Sequence, residues 1–369
     1  MTAMGAKAMR GYVRIMDHSV RRLIKCFDEM HAKGKSFDAF SWGLRGAAQT
    51  IGEVLIMGVD LKMLENAKSP IADVFHLLVR NLTLAQTLGE ESYGAGNRLM
   101  DRSADVIDTG CSQDMPLQEV AVNTSSVLDY MFHATDEDGK KTNLNLVNSN
   151  ILTFLGARQV TSSSVLSWHG NYASLVAARL GPEKEITGEQ LGKLEYLDWF
   201  VKEDQRLYNP AFQLDAERCE LNVILPGGLF ISKDAQVTVS LHALMVNSEH
   251  WKDPLVFNPE RWGTEEVKKR RKYVCLPFAT GGRSRPTRGS IGFNFALQEI
   301  KVILTRVVLN FQIENTTEGA VIYNFIVFKP SNFSTKLHKQ IPISEVDFDD
   351  LVGNRVDEKL IVRRPTNTV

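Results

Sequence analysis

The sequence predicts a mainly α fold with small β-sheets, one domain over residues 1–342 followed by a charged tail over 343–369. Three features predict it. Apolar residues recur at helical spacing in several segments between residues 12 and 208. β-branched residues alternate around Pro-Gly-Gly and Lys-Asp between 219 and 241, as short hairpins require. A further apolar helix pattern over 291–311 is followed by two strand-like runs that close the domain.

The elements follow in order. Tyr12, Ile15, Met16, Val20, Leu23, Ile24, Phe27 and Met30 form one helical stripe. Residues 40–59 and 70–88 read as two more helices, and 135–141 as a polar loop. The apolar run over 142–180 is too long for a strand and predicts one long buried helix. Residues 189–208 predict another helix. Thr187 is its N-cap, and Gln190 is placed to complete a capping box. Glu189 sits in the first turn, where the helix dipole favours a negative charge. Asn209-Pro210 stops that helix, because proline cannot continue it. An irregular stretch spans 254–277, and residues 321–330 and 333–341 read as closing strands.

Composition narrows the function. Lys plus Arg is 43 and Asp plus Glu is 44, so there is no general pull toward nucleic acid or an anionic membrane. Basic residues matter only locally. Cys26, Cys111, Cys219 and Cys275 form no CxxC pair, which argues against a zinc site or a disulfide framework and suits a reducing compartment. No apolar run reaches the ~18 residues of a membrane helix, and the N-terminus lacks a signal-peptide core. The expectation is a soluble, cytoplasmic chain.

Four motifs occur in a fixed order. Glu203 and Arg206 stand three apart in "VKEDQRLYNP". "FNPERW" follows at 257–262 with Arg261, then "PFATGGRS" at 277–284, then "IGFNFALQE" at 291–299. Upstream, the long helix carries "FLGARQVTSSSVLSW". Each motif has an ordinary reading. A Glu-x-x-Arg pair is usually a solvated helix pair, Thr161 is usually a threonine in a buried helix, and the glycine- and arginine-rich loop could cradle a phosphate at a helix start. A P-loop needs Gly-Lys-Ser/Thr, and this loop has no lysine.

Taken together, the motifs resemble a cytochrome P450, a haem-thiolate monooxygenase, from about residue 8 to residue 342. "AMRGYVRIMDHSVRRLIKCFDEM" and "VFKPSNFSTKLHKQIPI" look most like the haem domain of its self-sufficient fatty-acid hydroxylases. The resemblance begins after the family's N-terminal part, and no reductase follows. It implies that Glu203, Arg206 and Arg261 form a buried ionic network below the haem. It implies that Phe278, Gly281 and Arg283 belong to the haem loop with Gly292, Arg283 pairing with a propionate of haem b (iron protoporphyrin IX). It places the hydroxyl of Thr161 beside bound oxygen. There Ala157 fits the family pattern, whereas Arg158 and Val160 replace its usual glycine and acidic residue.

One expected residue is missing. The family's cysteine ligand belongs two positions after the arginine, followed by Ile/Val-Gly, and its thiolate favours O–O cleavage. Here "RPTRGS" (285–290) stands in its place, with Ser290 immediately before Ile291-Gly292. Ser290 is therefore the metal-ligand position, and a neutral hydroxyl is a weak donor. Cys275 lies before Phe278, on the approach to the loop, and reads as a small buried hydrophobe. A degenerate paralogue or a mis-joined coding segment would each produce this pattern.

The expected activity is insertion of one oxygen atom into an apolar small molecule, a fatty acid or a secondary metabolite. Electrons would come from a separate NADPH-dependent flavin reductase. Two other readings stand beside it: a non-catalytic haem- or lipid-binding paralogue, and a phosphate- or nucleotide-binding protein using the arginine loop.

Overall fold

Helix α1, Ala6–Ala32, is the element around which the core is assembled. Tyr12, Val13, Met16, Val20, Leu23, Ile24 and Phe27 are buried along one stripe, and Ile15 and Met30 pack at its margins. Their spacing of three and four residues puts them on one face of a 3.6-residue helix. The chain is seen here as a computed structural model. It describes residues 6–55, 62–64, 115–116, 131, 134–135, 139–141, 143, 147, 150, 161–163, 165–166, 186–211, 217–271, 273–279, 292–315, 320–323, 328–331 and 334–339.

The stripe of α1 meets α2, Ala39–Leu55, after the short strand β1, Phe37–Asp38. Gly46 makes that approach possible: a Cβ there would lie 2.9 Å from Leu23 Cδ2. Polar groups at this seam are satisfied. The Glu53 carboxylate accepts from Ser19 Oγ (2.5 Å), Arg22 Nη1 (3.0 Å) and Gln49 Nε2 (2.7 Å). Strands β2, Met115–Pro116, and β3, Ala134–Thr135, pair in parallel, and Thr135 bridges to Lys141 across the expected polar loop.

The single helix expected over 189–208 is two helices. Helix α3, Gly188–Lys193, begins with the capping box that the sequence predicts: Thr187 Oγ1 accepts from Gln190 N–H, and Gln190 Oε1 accepts from Thr187 N–H. The chain breaks at Leu194 and resumes as α4, Glu195–Leu207. Leu191 and Leu197 are both buried. Six residues apart, they would point roughly 120° apart on an uninterrupted helix. The break lets both reach the core.

Strands β4 (Glu217–Arg218), β5 (Val223–Ile224), β6 (Phe230–Ile231) and β7 (Gln236–Val237) follow. They form two antiparallel pairs, β5 with β6 around Pro-Gly-Gly and β4 with β7 outside it. Gly227 and Gly228 have φ of +92° and +84°, which only glycine adopts without cost. Helix α5, Leu241–Met245, comes next. The stretch expected to be irregular contains a 3-10 helix, Pro259–Gly263, and a short helix α6, Glu265–Lys269.

Helix α7, Phe293–Asn310, is buried on most sides, including Phe295, Ile300, Val302, Leu304 and Val308. It packs against α1, α3 and α4. An antiparallel sheet of order β1-β11-β8 closes the core, with β8 at Phe311–Asn315 and β11 at Ser334–Lys339. Thr335 and Leu337 face inward from β11, and Lys336 between them is on the other face. The run 321–330, expected to be one strand, is the two arms of a hairpin, β9 (Ala320–Tyr323) and β10 (Phe328–Ser331), with Tyr323 opposite Phe328.

The helix expected over 70–88 and the tail over 343–369 lie outside the described residues. Of the long helix expected over 142–180, described residues 147, 150, 161–163 and 165–166 are helical, whereas residue 143 near its start is not. Among the described residues, no helix is long and apolar enough to cross a membrane.

Candidate functional site

Helix α4 presents Glu203 and Arg206 on one face, three residues apart. Both side chains are fully buried, so their charges persist only if mutually paired. The pairing is extensive. Glu203 Oε1 accepts from Arg206 Nη2 (2.9 Å), Arg261 Nε (2.9 Å) and the Asn258 backbone N–H (3.0 Å). Glu203 Oε2 accepts from Arg206 Nε (2.9 Å) and Trp262 Nε1 (3.0 Å).

The arginines spend their remaining donors on one stretch of backbone. Arg206 donates to the carbonyls of Met245 (2.9 Å), Pro254 (2.7 Å) and Val256 (3.3 Å). Arg261 donates to those of Lys252 (2.8 Å), Asp253 (3.3 Å) and Val256 (3.1 Å). Two planar guanidinium forks thus fasten residues 245–261 to α4. The 3-10 helix fits closely because position 263 is glycine: a Cβ there would lie 2.5 Å from Trp199. Trp251 is buried between two cations, with Arg270 at 3.5 Å and Arg206 at 4.9 Å from its ring centroid.

Burial shapes the titrations here. Burial, and secondarily the charge of Glu203, pushes the Asp204 carboxyl well above its ordinary value. Burial lowers the pKa of Arg270. Burial also pushes the Cys275 thiol up to about 12, so it is a neutral thiol and not a thiolate at physiological pH.

Beyond this network lies the approach to α7. The Phe278 ring meets Phe293 edge to face, with centroids 4.9 Å apart and planes at 88°. Ala279 adopts φ of +60°, uncommon for a residue with a Cβ. Gly292 is buried at the N-cap of α7, and its carbonyl accepts from Ala296 N–H at 2.8 Å. Gly281, Arg283 and Ser290 lie outside the described residues.

Thr161 is helical and half-buried. Its neighbour Ser162 donates through Oγ to Glu299 Oε2 of α7 at 2.8 Å, and both residues are buried. On the other side, Ser163 packs where Gly43 of α2 leaves room. The turn carrying Thr161 is therefore fixed to the same helix whose start meets Phe278.

Among the sequence-predicted residues, Glu203, Arg206 and Arg261 are thus in direct contact, while Thr161 reaches α7 through Ser162. Sequence reasoning missed Trp251, Trp262, Arg270, Ser162 and Glu299. Ser162, Trp262 and Glu299 stand within the quoted motifs, and no local spacing signals the buried contacts that they make.

A sequence model of the cytochrome P450 family matches residues 175–337. Cytochrome P450 monooxygenase alnD of Emericella nidulans is 32% identical over 366 residues, covering 90% of this chain and 65% of that relative. Human cytochrome P450 4B1 is 26% identical, covering 82% of this chain and 64% of its own length. The chain thus spans just under two thirds of these relatives. A crystal structure of a cytochrome P450 (CYP102L1) superposes with a TM-score of 0.72 at 23% identity, covering 92% of this chain and 76% of that one. The cytochrome P450DA heme domain gives 0.72 at 20% identity, covering 94% and 75%. The chain belongs to the cytochrome P450 superfamily, and its fold is that of the family's haem domains.

The family implies a haem cofactor held by a thiolate, and the donor set does not fit that ligation. Between Phe278 and Phe293 the chain carries arginine, serine and threonine but no cysteine, histidine or methionine. A guanidinium cannot ligate iron, and a neutral hydroxyl is a poor ligand. Cys275 is half-buried, and its thiol is protonated beside Arg270.

Proposed function

We propose that this fold serves cytochrome P450-type monooxygenation of an apolar small molecule, and that the chain as encoded is impaired in it. The substrate class is a fatty acid or a secondary metabolite. Electrons come from a separate NADPH-dependent flavin reductase. The observation that carries the reading is the Ser162–Glu299 hydrogen bond, which holds the turn bearing Thr161 against α7, downstream of Phe278. The Emericella relative, a monooxygenase by name and matched along 90% of this chain, supports the same class.

On this reading Thr161 lies on the oxygen side. Phe278, Gly281, Arg283 and Gly292 belong to the haem loop, with Arg283 supplying a cation for a propionate of haem b. Glu203, Arg206 and Arg261 hold the segment that leads into the loop. Ser290 stands at the ligand position without a sulfur. The impairment has one chemical cause: residues 285–290 occupy the place of a single cysteine.

The test is a haem assay and a reduced, CO-difference absorption spectrum on two proteins: the chain as encoded, and a variant in which residues 285–290 are replaced by one cysteine. The encoded chain is expected to give no thiolate-type Soret band, and the variant to gain haem and that band. A thiolate-type band from the encoded chain would overturn the impairment. A variant that folds by circular dichroism yet takes up no haem would overturn the assignment of the loop. Haem bound by the encoded chain with a shifted band would favour the non-catalytic haem-binding reading.

A further inference from the structure

The fold contains an apolar cleft well along α7 from its start at Phe293. Leu23 and Phe27 of α1, Leu166, Ile303 and Val307 of α7, and Leu337 of β11 are among its walls. The space between atoms there is about 540 Å³ with the open solvent at its mouth included. Ile303 and Val307 lie ten and fourteen residues beyond Phe293, so the cleft is roughly 15–20 Å along the helix axis from the start of α7.

Among the described residues, one polar side chain lines it. Thr335 is 2% exposed, and its hydroxyl has no hydrogen-bond partner among the described residues. The backbone cannot turn this side chain away. Thr335 sits in the central strand of the sheet, opposite Phe37 on one side and Asn315 on the other, and shares its inward face with Leu337. A buried hydroxyl with no partner is costly, and such groups in native proteins usually have an occupant.

The chemistry of the walls selects that occupant. A lone water needs two to four polar partners, and the described side chains of this cleft offer one. A carboxylate or an ammonium would be buried without a counter-charge, because among the described residues no lysine, arginine, histidine, aspartate or glutamate lines the cleft. A ligand hydroxyl would carry its own donor into apolar surroundings. A carbonyl oxygen needs only the one donor present.

We propose that the cleft between α1, α7 and β11 binds a small, neutral aliphatic carbonyl compound, a ketone or ester. Its oxygen accepts from Thr335 Oγ1, and its hydrocarbon part packs against the leucine, isoleucine and valine walls. The site is independent of haem and of the substrate of the proposed reaction.

The test uses cyclohexanone and cyclohexane, which share a shape and differ in the carbonyl. Each is titrated into the full chain with ¹³C-labelled leucine, isoleucine and valine methyls, and methyl spectra are recorded. Both probes are expected to shift the methyls of Leu23, Leu166, Ile303, Val307 and Leu337, cyclohexanone at lower concentration. Thr335→Val should weaken cyclohexanone about tenfold and leave cyclohexane unchanged, and Thr335→Ser should restore the ketone preference. If neither probe moves these methyls in the wild-type protein, the cleft is a packing gap and the proposal fails. Equal weakening of both probes by Thr335→Val would also overturn it. The wild-type titration decides the first point even where a variant does not fold.

Discussion

Glu203 is the residue on which the described half of the site turns. One buried carboxylate receives five donated hydrogen bonds from two arginines, an indole and a backbone amide. Without it, Arg206 would keep a full charge at 0% exposure with only carbonyl acceptors around it. Glu203→Ala is therefore expected to cost about 3–5 kcal/mol, because a buried charge loses its counter-ion. Urea unfolding measures this directly, and a loss within 1 kcal/mol, roughly that of an exposed pair, would show that the network is not what holds residues 245–261 to α4. Sequence made part of the cluster legible. The three-residue spacing of Glu203 and Arg206 puts them on one helix face. Arg261 is 58 positions from Glu203, and only the family resemblance joined it to the pair.

At the scale of elements, local signals carried furthest where a few neighbouring residues decide the outcome. The stripe of α1 and the glycine turns of the hairpins are of this kind, as is the cap of α3. The capping box predicts its own test. Thr187→Ala removes the side-chain acceptor of the Gln190 N–H and is expected to destabilise by about 1 kcal/mol. Thr187→Ser should recover most of that, because the acceptor oxygen returns; the two variants are compared by their denaturation midpoints. Local signals failed at Leu194. Gly192 is only a weak breaker within the helical pattern of 189–208, and the break answers to where Leu191 and Leu197 must be buried. They failed again over 321–330, where pairing of Tyr323 with Phe328 makes a hairpin from an apparently continuous strand.

At the scale of the whole molecule, burial converts ordinary side chains into pH-sensitive ones. Asp204 is buried on α4, with its carboxyl pushed well above its unfolded value of 3.8. A raised acid favours the folded state while protonated. Its contribution is fully present below the unfolded pKa and is lost as pH rises through the folded pKa. Asp204→Asn removes that loss while keeping the shape. Its stability relative to wild type should therefore improve between pH 4 and pH 8. Urea midpoints of both proteins across that range test the sign, and an advantage that does not grow with pH would show that Asp204 ionises freely in the fold.

The sequence by itself determined the helical stripe of α1, the cap at Thr187, the hairpin turns and the absence of a cysteine between Phe278 and Phe293. Each of these is written in adjacent residues or in the covalent chain alone. Only the tertiary structure decided that Ser162 would bond Glu299, 137 positions away, that helix 189–208 would break, and that Thr335 would keep an unbonded hydroxyl facing an apolar cleft. Those outcomes depend on which surfaces are excluded from water once all elements pack together. No local spacing carries that information.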